Sequence, residues 1–329
     1  MQENEKKLNS LQKVTKSKHF GNQNNTIRPE KLVFAVRHKL DMASFVRYES
    51  EKYFLADNKK VAFPSIFDKA TIDLSVIVPA YNEEKRLPKM LVESLEHLEA
   101  KQKQNPKYEY EIIIVDDGSS DKTTEVGLGF TEKYGPSKVR VLTLFKNRGK
   151  GGAVRLGMMS ARGRKLLMVD GDGATRFSDL DKVEAKLDEI TTLPKESAIA
   201  VGSRAHLEEE AIANRSVFRT FLMKGFHLLV WLLCVRTVRD TQCGFKLLTR
   251  SAAVPIFTNL HVERWAFDVE MLYIAENLHI PVVEVAVVWT EIEGSKIVPV
   301  LSWIQMGKDI FLIWLHYFLG LWSIKASPE

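Results

Sequence analysis

The sequence predicts an α/β fold with a mostly parallel central sheet and flanking helices. Between residues 74 and 170, short apolar runs alternate with segments of helical periodicity, a pattern typical of strand–helix–strand units. Acidic segments, YNE, DDGS and DGDG, follow three of the apolar runs. Because ligands of such sheets bind at the carboxyl ends of the strands, these segments predict where a site forms.

Each element of this part can be assigned from local pattern. The segment Leu74–Glu83 begins with a short apolar run that ends at Pro79 and predicts a buried parallel strand. Residues 85–104 have the apolar spacing of a helix. The remaining elements are a strand, turn and helix start in YEIIIVDDGSSDKTTEV with Asp121 as candidate cap, a strand in VRVLTLFKN, a glycine-opened helix in GKGGAVRLGMMSARG, and a strand in RKLLMVD that ends at Asp170.

Two aromatic-rich apolar segments follow residue 200. Residues 221–235 and 301–322 both fall short of the roughly 20 uninterrupted apolar residues of a spanning helix. Their tryptophans and tyrosine suit helices that lie in the lipid headgroup zone, at Trp303, Trp314, Tyr317 and Trp322. We therefore expect amphipathic C-terminal helices at a membrane interface, with ordinary core helices as the alternative.

Composition sets limits on the class of protein. Of 329 residues, 45% are hydrophobic and 27% charged, and there are two cysteines, which suits a folded protein of a reducing compartment. The formal charge of +5 comes from residues 1–50, which hold ten basic and five acidic residues. The rest of the chain is neutral, so no nucleic-acid groove is expected.

Three regions are predicted along the chain. Residues 1–47 form a basic tail without a long apolar run, so the sequence predicts neither a signal peptide nor a membrane anchor there. We expect this tail to be disordered, with its lysines either solvated or attracted to anionic lipid. Residues 48–250 form the main domain, and residues 251–329 form an extension that completes the fold and faces acceptor and membrane.

The loop LLMVDGDGATRFSDLDK has two metal-binding interpretations from its residues, and a metal-free surface turn is the alternative to both. As a calcium loop starting at Asp170, it would need oxygen ligands at positions one, three and five and glycine at position six. Positions five and six are Ala174 and Thr175, and a strand precedes the loop. The calcium interpretation therefore fails.

The second interpretation is a metal clamp. Asp170 and Asp172 flank one residue at a strand end, so both can reach one Mg²⁺ or Mn²⁺ that also binds a diphosphate. Gly171 and Gly173 let a bulky ligand approach the backbone. An Asp-x-Asp pair is a weak signal alone, and the acidic strand ends upstream strengthen it.

At this point the sequence resembles a known family. VPAYNEE, VDDGSSDKT and the Asp-x-Asp loop, in this order, resemble family 2 glycosyltransferases of the GT-A fold. NRGKGGAVRLG, RDTQCGFK, HVERWAFDVEMLYIA and WTEIEGSK extend the resemblance to the dolichyl-phosphate β-glucosyltransferase family, from about residue 48 to residue 322. The resemblance implies transfer of glucose from UDP-glucose to dolichyl phosphate, on the cytosolic face of the endoplasmic reticulum membrane.

The resemblance also implies a nucleotide site. Pro79, Tyr81 and Glu83 border the nucleotide, with Tyr81 packed on the uracil and Glu83 accepting from a ribose hydroxyl; a capped strand-to-helix turn is the alternative. Val115 and Asp117 match further nucleotide contacts, and the Asp117 carboxylate is the candidate acceptor for the uracil N3–H.

Phosphate and sugar contacts are implied next. Asp170 and Asp172 are the metal positions, with Gly171 beside the diphosphate. Lys150 follows a glycine turn that is neither a Walker nor a G-x-G-x-x-G motif. Either a phosphate contact or a structural turn explains this lysine. Asp240 is expected on the sugar side.

The predicted catalytic residues are Asp172, Arg204 and Arg219. Both arginines match residues that hold phosphate in polyprenyl-phosphate synthases, and the guanidinium fork suits phosphate oxygens. Surface pairing with the acidic residues 208–210 is the alternative. The expected reaction is one in-line displacement with inversion, in which the ionised acceptor phosphate needs no strong general base.

Two departures from the family pattern matter. The usual hydrophobic N-terminal helix is replaced by the basic tail, which leaves anchoring open. Ala174 stands where related mannose synthases carry a glutamine metal ligand, so the metal is expected to depend on diphosphate and water. The alternatives are a polyprenyl-phosphate mannose synthase that uses GDP-mannose and a non-catalytic sugar-nucleotide-binding partner.

Overall fold

The computed structural model describes residues 47–56, 59–191, 196–206, 217–292 and 299–326. Side chains are described for the same residues except 217–224 and 299–304. The predicted tail, apart from residue 47, and the acidic residues 208–210 therefore lie outside the described residues.

In the described part of the chain, nine strands form a hairpin and a central sheet. They are β1 (Tyr53–Ala56), β2 (Lys59–Ala62), β3 (Ile72–Ala80), β4 (Tyr110–Asp116), β5 (Val139–Thr143), β6 (Gly163–Met168), β7 (Ile199–Ser203), β8 (Lys246–Thr249) and β9 (Val282–Ala286). β1 and β2 pair with each other, and the other seven have the order β5-β4-β3-β6-β8-β7-β9. β8 is antiparallel to both neighbours, while the other pairs are parallel. The predicted mostly parallel sheet is confirmed.

Helices cover both faces of this sheet. They are α1 (Leu87–Gln104), α2 (Thr123–Tyr134), α3 (Lys150–Met159), α4 (Leu180–Ile190), α5 (Val217–Leu233), α6 (Arg250–Asn259), α7 (Phe267–Asn277) and α8 (Pro299–Phe318). Alternate residues of β3 serve the two faces: Val76 and Val78 are buried with α1 and α4, whereas Ile77 is buried with α3 and α6. This alternation is the period of two expected for a strand buried on both sides.

β3 extends beyond the predicted boundary at Pro79. The strand continues to Ala80, and Pro79 stays in register with Val115 of β4. Pairing with β6 has already ended at Ile77. Backbone groups of residues 77 and 79 point to the same side of β3, and the Ile77 carbonyl accepts from Val169 on the β6 side. Because pairing with β6 ends at Ile77, the N–H that Pro79 lacks would have no partner in the sheet, so no sheet hydrogen bond is lost.

The C-terminal part is built into the same body. β9 pairs with β7, and Ile310 and Ile313 of α8 are buried in one cluster with Val230 of α5. Among the helices that the structure describes, none combines the length and apolarity needed to cross a bilayer. The boundary at residue 250 stays a prediction.

Two helices of this part, α5 and α8, contact each other and carry exposed apolar side chains. Six large apolar side chains of α5, α8 and the residue after α8 are between 46% and 70% exposed: Leu228, Trp231, Leu232, Phe311, Phe318 and Leu319. We call these six residues the apolar C-terminal surface. Exposed apolar groups gathered in this way mark contact surfaces more often than isolated ones do.

Candidate active site

The carboxyl ends of three neighbouring strands meet at one edge of the sheet. β3 lies between β4 and β6, and all three are parallel. The segments that follow them, residues 81–83, 117–120 and 170–173, therefore lie side by side, as the sequence predicts.

Asp170 and Asp172 follow β6 in a tight loop. Lys150, the first residue of α3, places its Nζ 2.6 Å from Oδ1 of Asp170. Asp172 accepts the backbone N–H of Ala174 at 3.0 Å through Oδ1. Gly173 has φ of 74°, a left-handed conformation in which a side chain would be strained. The loop thus brings two carboxylates together, and the fold supplies them with few hydrogen-bond donors.

The electrostatics of this pair show a need for positive charge. Burial, followed by the charge of Asp170, raises the pKa of Asp172, against the N–H of Ala174 and the charges of Arg86 and Lys150. Burial lowers the pKa of Lys150, but Asp170 and Asp268 outweigh it, so the net shift is upward. The ammonium is therefore firmly charged, and the carboxylate pair still carries one more negative charge than Lys150 neutralises.

This donor set fits a divalent cation. Carboxylate oxygens are the ligands that Mg²⁺ and Mn²⁺ prefer, and a cation between Asp170 and Asp172 would relieve their repulsion. In the described part of the chain, no three His, Cys, Asp or Glu side chains converge on one point. The side-chain ligands of a cation here would be Asp170 and Asp172.

The acids that follow β4 are bonded differently. Asp117 is 3% exposed and accepts the backbone N–H groups of Arg148 at 2.7 Å and Gly149 at 2.8 Å. Burial raises its pKa to about 6, although these two hydrogen bonds lower it. Asp116 accepts the N–H of Ser119 and two hydroxyls. Asp117 therefore holds the glycine turn that starts α3, and its predicted uracil contact stays a prediction.

The residues after β3 form the next part of the rim. Tyr81 is 40% exposed, which leaves its ring accessible beside the edge. Both carboxylate oxygens of Glu83 accept from the guanidinium of Arg86, and its backbone N–H donates to the Thr123 hydroxyl at 2.7 Å. Glu83 thus fixes the turn into α1, and a ribose contact by it stays a prediction.

Two predicted nucleotide contacts are explained by packing. The Val115 side chain is fully buried in the core on the α3 face, so a ligand contact there would have to come from its backbone. A Cβ on Gly171 would lie 3.0 Å from the carbonyl oxygen of Pro79. Gly171 is therefore required by the close approach of its loop to β3, whether or not a ligand also passes there.

Arg204 and Asp240 form a bidentate ion pair. Nε and Nη2 of Arg204 lie 2.8 Å and 2.9 Å from the two Asp240 oxygens, and the Arg204 N–H also donates to Asp240. The guanidinium lies 5.4 Å from the ring centroid of Trp289, and the charge of Asp170 also acts on it. Asp240 thus holds Arg204 near the loop that carries Asp170 and Asp172. Arg219 lies in α5, and its side chain is outside the described residues.

The structure adds residues that the sequence did not identify. A Cβ on Gly244 would lie 2.1 Å from Oδ2 of Asp170, so this glycine makes room for the carboxylate. Lys246 and Asp268 form a buried ion pair close enough for Asp268 to act on Lys150. The available signal was a charged residue inside an apolar strand or helix pattern, as in CGFKLL and AFDVEML.

The fold and this edge define a glycosyltransferase of the GT-A type. A family model described as Glycosyl transferase family 2 matches residues 75–254, which spans β3 to β8. Mannosyl-3-phosphoglycerate synthase from Rubrobacter xylanophilus shares the fold, with a TM-score of 0.51 and 17% identity over 75% of this chain and 74% of that chain.

Closer relatives narrow the class. Dolichyl-phosphate beta-glucosyltransferase of Mus musculus is 61% identical over 86% of this chain and 88% of its own length. The proteins of the same name from Homo sapiens and Saccharomyces cerevisiae are 59% and 40% identical, over 88% and 83% of this chain and 89% and 86% of their own lengths. The chain belongs to the dolichyl-phosphate β-glucosyltransferases within glycosyl transferase family 2.

Proposed function

We propose that the chain transfers glucose from UDP-glucose to dolichyl phosphate with inversion, giving dolichyl β-D-glucosyl phosphate and UDP. The names of its relatives support the acceptor and the sugar. One observation in the structure carries the proposal: Asp170, Asp172 and Lys150 meet at the strand edge where a nucleotide diphosphate would lie. The lipid product would serve as a glucose donor in N-glycan precursor assembly.

A divalent cation is part of this proposal. Bound to Asp170 and Asp172, Mg²⁺ or Mn²⁺ would neutralise charge on the leaving diphosphate. Lys150 adds a positive charge on the α3 side of the same loop. Asp117 holds the turn from which Lys150 projects.

The acceptor phosphate needs positioning more than deprotonation. A phosphate oxygen of dolichyl phosphate is already ionised at neutral pH, so it can attack the anomeric carbon while UDP leaves from the opposite side. Asp240 takes one side-chain N–H from Nε and one from Nη2 of Arg204. A guanidinium has five N–H donors, so the others can face the incoming phosphate.

A lipid acceptor requires chemistry at a membrane, and we propose the cytosolic face of the endoplasmic reticulum. The apolar C-terminal surface is the proposed docking face, because its tryptophan and phenylalanine side chains suit the headgroup boundary. Arg236 lies over the ring of Trp231, at 5.7 Å from the centroid, and adds a positive charge at this surface.

A donor panel tests the reaction. Purified full-length chain is incubated with dolichyl phosphate and Mg²⁺ or Mn²⁺, and with radiolabelled UDP-glucose, UDP-GlcNAc or GDP-mannose. We expect lipid-linked product from UDP-glucose alone, and a β anomeric coupling in its NMR spectrum. Product from GDP-mannose, an α-linked product, or nucleotide binding without any lipid product would each contradict the proposal.

Vesicle flotation tests the docking face. Trp231→Glu combined with Phe318→Glu places two charges on the apolar C-terminal surface, and we expect the variant to lose most of its binding to anionic vesicles. Phe67→Glu is the matched control, because Phe67 is 55% exposed and lies before β3, outside that surface. Equal loss in both variants, or in neither, would contradict this docking face.

A further inference from the structure

The ammonium of Lys150 contacts Asp170, a candidate metal ligand. Without this lysine, the Asp170 carboxylate would face solvent or a bound cation. The Lys150 Nζ lies 2.6 Å from Oδ1 of Asp170, one of the two candidate metal ligands. The side chain is 14% exposed, and it projects from the first residue of α3 past the ring of Trp265, 6.0 Å from the centroid. Because this largely buried lysine contacts the carboxylate that would bind a cation, its positive charge repels an incoming cation.

A second carboxylate steadies the ammonium from within the protein. Asp268, in the first turn of α7, is 2% exposed. Against the lowering by burial, its charge raises the pKa of Lys150, second only to the charge of Asp170. Asp268 is itself ion-paired with the buried Lys246, whose Nζ also donates to the Cys243 carbonyl at 2.6 Å. Charges therefore alternate from Lys246 through Asp268 and Lys150 to Asp170.

This alternation gives Lys150 a defined place to remain in the absence of ligands. The Lys246–Asp268 pair lies inside the fold and is fully desolvated, so it stays fixed. The four-carbon stem of lysine is flexible, so the ammonium can leave Asp170 for another anion within reach without a backbone change. A nucleotide diphosphate beside Asp170 is such an anion.

We propose that Lys150 is the resident counter-cation of the Asp170–Asp172 clamp: it holds Asp170 in the free enzyme and moves to the diphosphate when cation and sugar nucleotide bind together. This inference rests on the proposed metal-assisted function. A cation alone must displace the ammonium and leaves it next to a divalent charge. Cation plus nucleotide gives both charges a partner.

The consequence is cooperative binding. A divalent cation binds weakly without nucleotide and strongly with it, and UDP gains equally from the cation because coupling between two ligands is reciprocal. The lysine charge adds to the coupling that arises from direct contact between cation and diphosphate, so the coupling should weaken when that charge is removed.

The test measures Mn²⁺ binding by calorimetry and electron paramagnetic resonance on the full chain, with and without UDP. Lys150→Met should bind Mn²⁺ about tenfold more tightly than wild type without nucleotide, and the enhancement by UDP should shrink by at least the same factor. Lys150→Arg retains the charge and should stay within about threefold of wild type in the absence of nucleotide.

Lys89→Met is the matched control. Lys89 is an exposed residue of α1 next to Met90, and a Cβ on Gly173 of the metal loop would lie 3.4 Å from Met90. The control removes the same charge near the same loop without touching Asp170. Unchanged or weaker Mn²⁺ binding in Lys150→Met, or an equal gain in Lys89→Met, would overturn the proposal.

A second measurement uses the wild-type protein, so it does not depend on the variant folding. Acetic anhydride labelling followed by mass spectrometry reports the accessibility of the Lys150 amine. Labelling should rise with Mn²⁺ alone and fall when UDP is added, while labelling of Lys89 stays constant. No change at Lys150 contradicts displacement. Absence of any UDP binding is a different result, because it contradicts the proposed function itself.

Discussion

Two acidic pairs follow β4 and β6, the strands on either side of β3, and their hydrogen bonding differs. Asp116 and Asp117 after β4 accept backbone N–H groups and hydroxyls from residues that build the surrounding turns. After β6, Asp172 accepts the backbone N–H of Ala174, and the ammonium of Lys150 lies beside Asp170. In sequence the pairs look alike.

The difference teaches how to separate an acid that builds a site from an acid that acts in it. A buried carboxylate supplied with hydrogen bonds from neighbouring backbone is held in place by the fold. A pair of carboxylates with few hydrogen-bond donors from the backbone keeps an unbalanced negative charge that a cation can neutralise, as Asp170 and Asp172 do. We therefore expect Asp116 and Asp117 to act mainly by building the site, and Asp170 and Asp172 to take part in its chemistry.

The strongest test of this assignment is Asp172→Ala. We expect glucosyl transfer to fall by about 10²–10³-fold or more, because charge stabilisation at the leaving group is lost. Thermal stability should stay the same or rise, since burial and Asp170 disfavour the ionised side chain that is removed. Transfer from UDP-glucose and the unfolding midpoint are the two measurements.

Asp188→Ala provides the comparison for that variant. Asp188 lies on α4, and its side chain is 56% exposed, so its removal tests the loss of one carboxylate away from the edge. Transfer should stay within about twofold of wild type, as usual for an exposed surface position. Near-wild-type transfer by Asp172→Ala would remove Asp172 from the metal site.

The next largest effect is expected at Gly244. A Cβ there would lie 2.1 Å from Oδ2 of Asp170, so Gly244→Ala must displace the carboxylate or the start of β8. A displacement of about 1 Å in a catalytic group is worth on the order of 10²-fold in rate. We expect that loss in transfer, together with weaker Mn²⁺ binding measured in the presence of UDP.

Gly129→Ala is the matched glycine variant. Gly129 lies in the exposed part of α2, and no atom outside its own helix and chain neighbours lies within 4 Å of an added Cβ. This substitution should stabilise the protein by roughly 0.5–1 kcal/mol and leave transfer unchanged. Equal transfer by Gly244→Ala and Gly129→Ala would show that the close approach of Gly244 to Asp170 does not matter for activity.

Much of the fold and part of the site were predictable from sequence, for a physical reason. Strands, helices and their order follow from local periodicity, and the meeting of residues 81–83, 117–120 and 170–173 follows from the parallel order of their strands. Pro79 was placed wrongly as a strand end, because its tolerance depends on where the neighbouring β6 ladder stops.

The contacts that tune the site were not predictable, because they depend on how distant elements dock. Lys150 reaches Asp170 only after α3 has packed on the sheet, and Gly244 meets the same carboxylate only because β8 pairs antiparallel with β6. Arg204 was predicted to hold phosphate, with pairing to residues 208–210 as the alternative; in the structure it pairs with Asp240, which was predicted on the sugar side. None of these contacts can be predicted from the spacing of neighbouring residues in the sequence.

The smallest effect concerns the acid assigned to architecture. The pKa of Asp117 is raised to about 6 by burial, above its ordinary 3.8. The folded state therefore binds the proton more tightly than the unfolded state, so this stabilisation is complete below the unfolded pKa and is lost as pH rises through about 6. From pH 5 to pH 7 the free energy of unfolding should fall by about 1 kcal/mol from this group.

Asp117→Asn should remove that slope while it retains the shape of the side chain. Urea unfolding at pH 5, 6 and 7 compares the two proteins, and the difference between them isolates the contribution of Asp117 from other titrating groups. The amide has one carbonyl for the N–H groups of Arg148 and Gly149, so a pH-independent loss of about 1 kcal/mol is also expected. A variant that retains the wild-type slope would show that another group causes the slope and would contradict the raised pKa of Asp117.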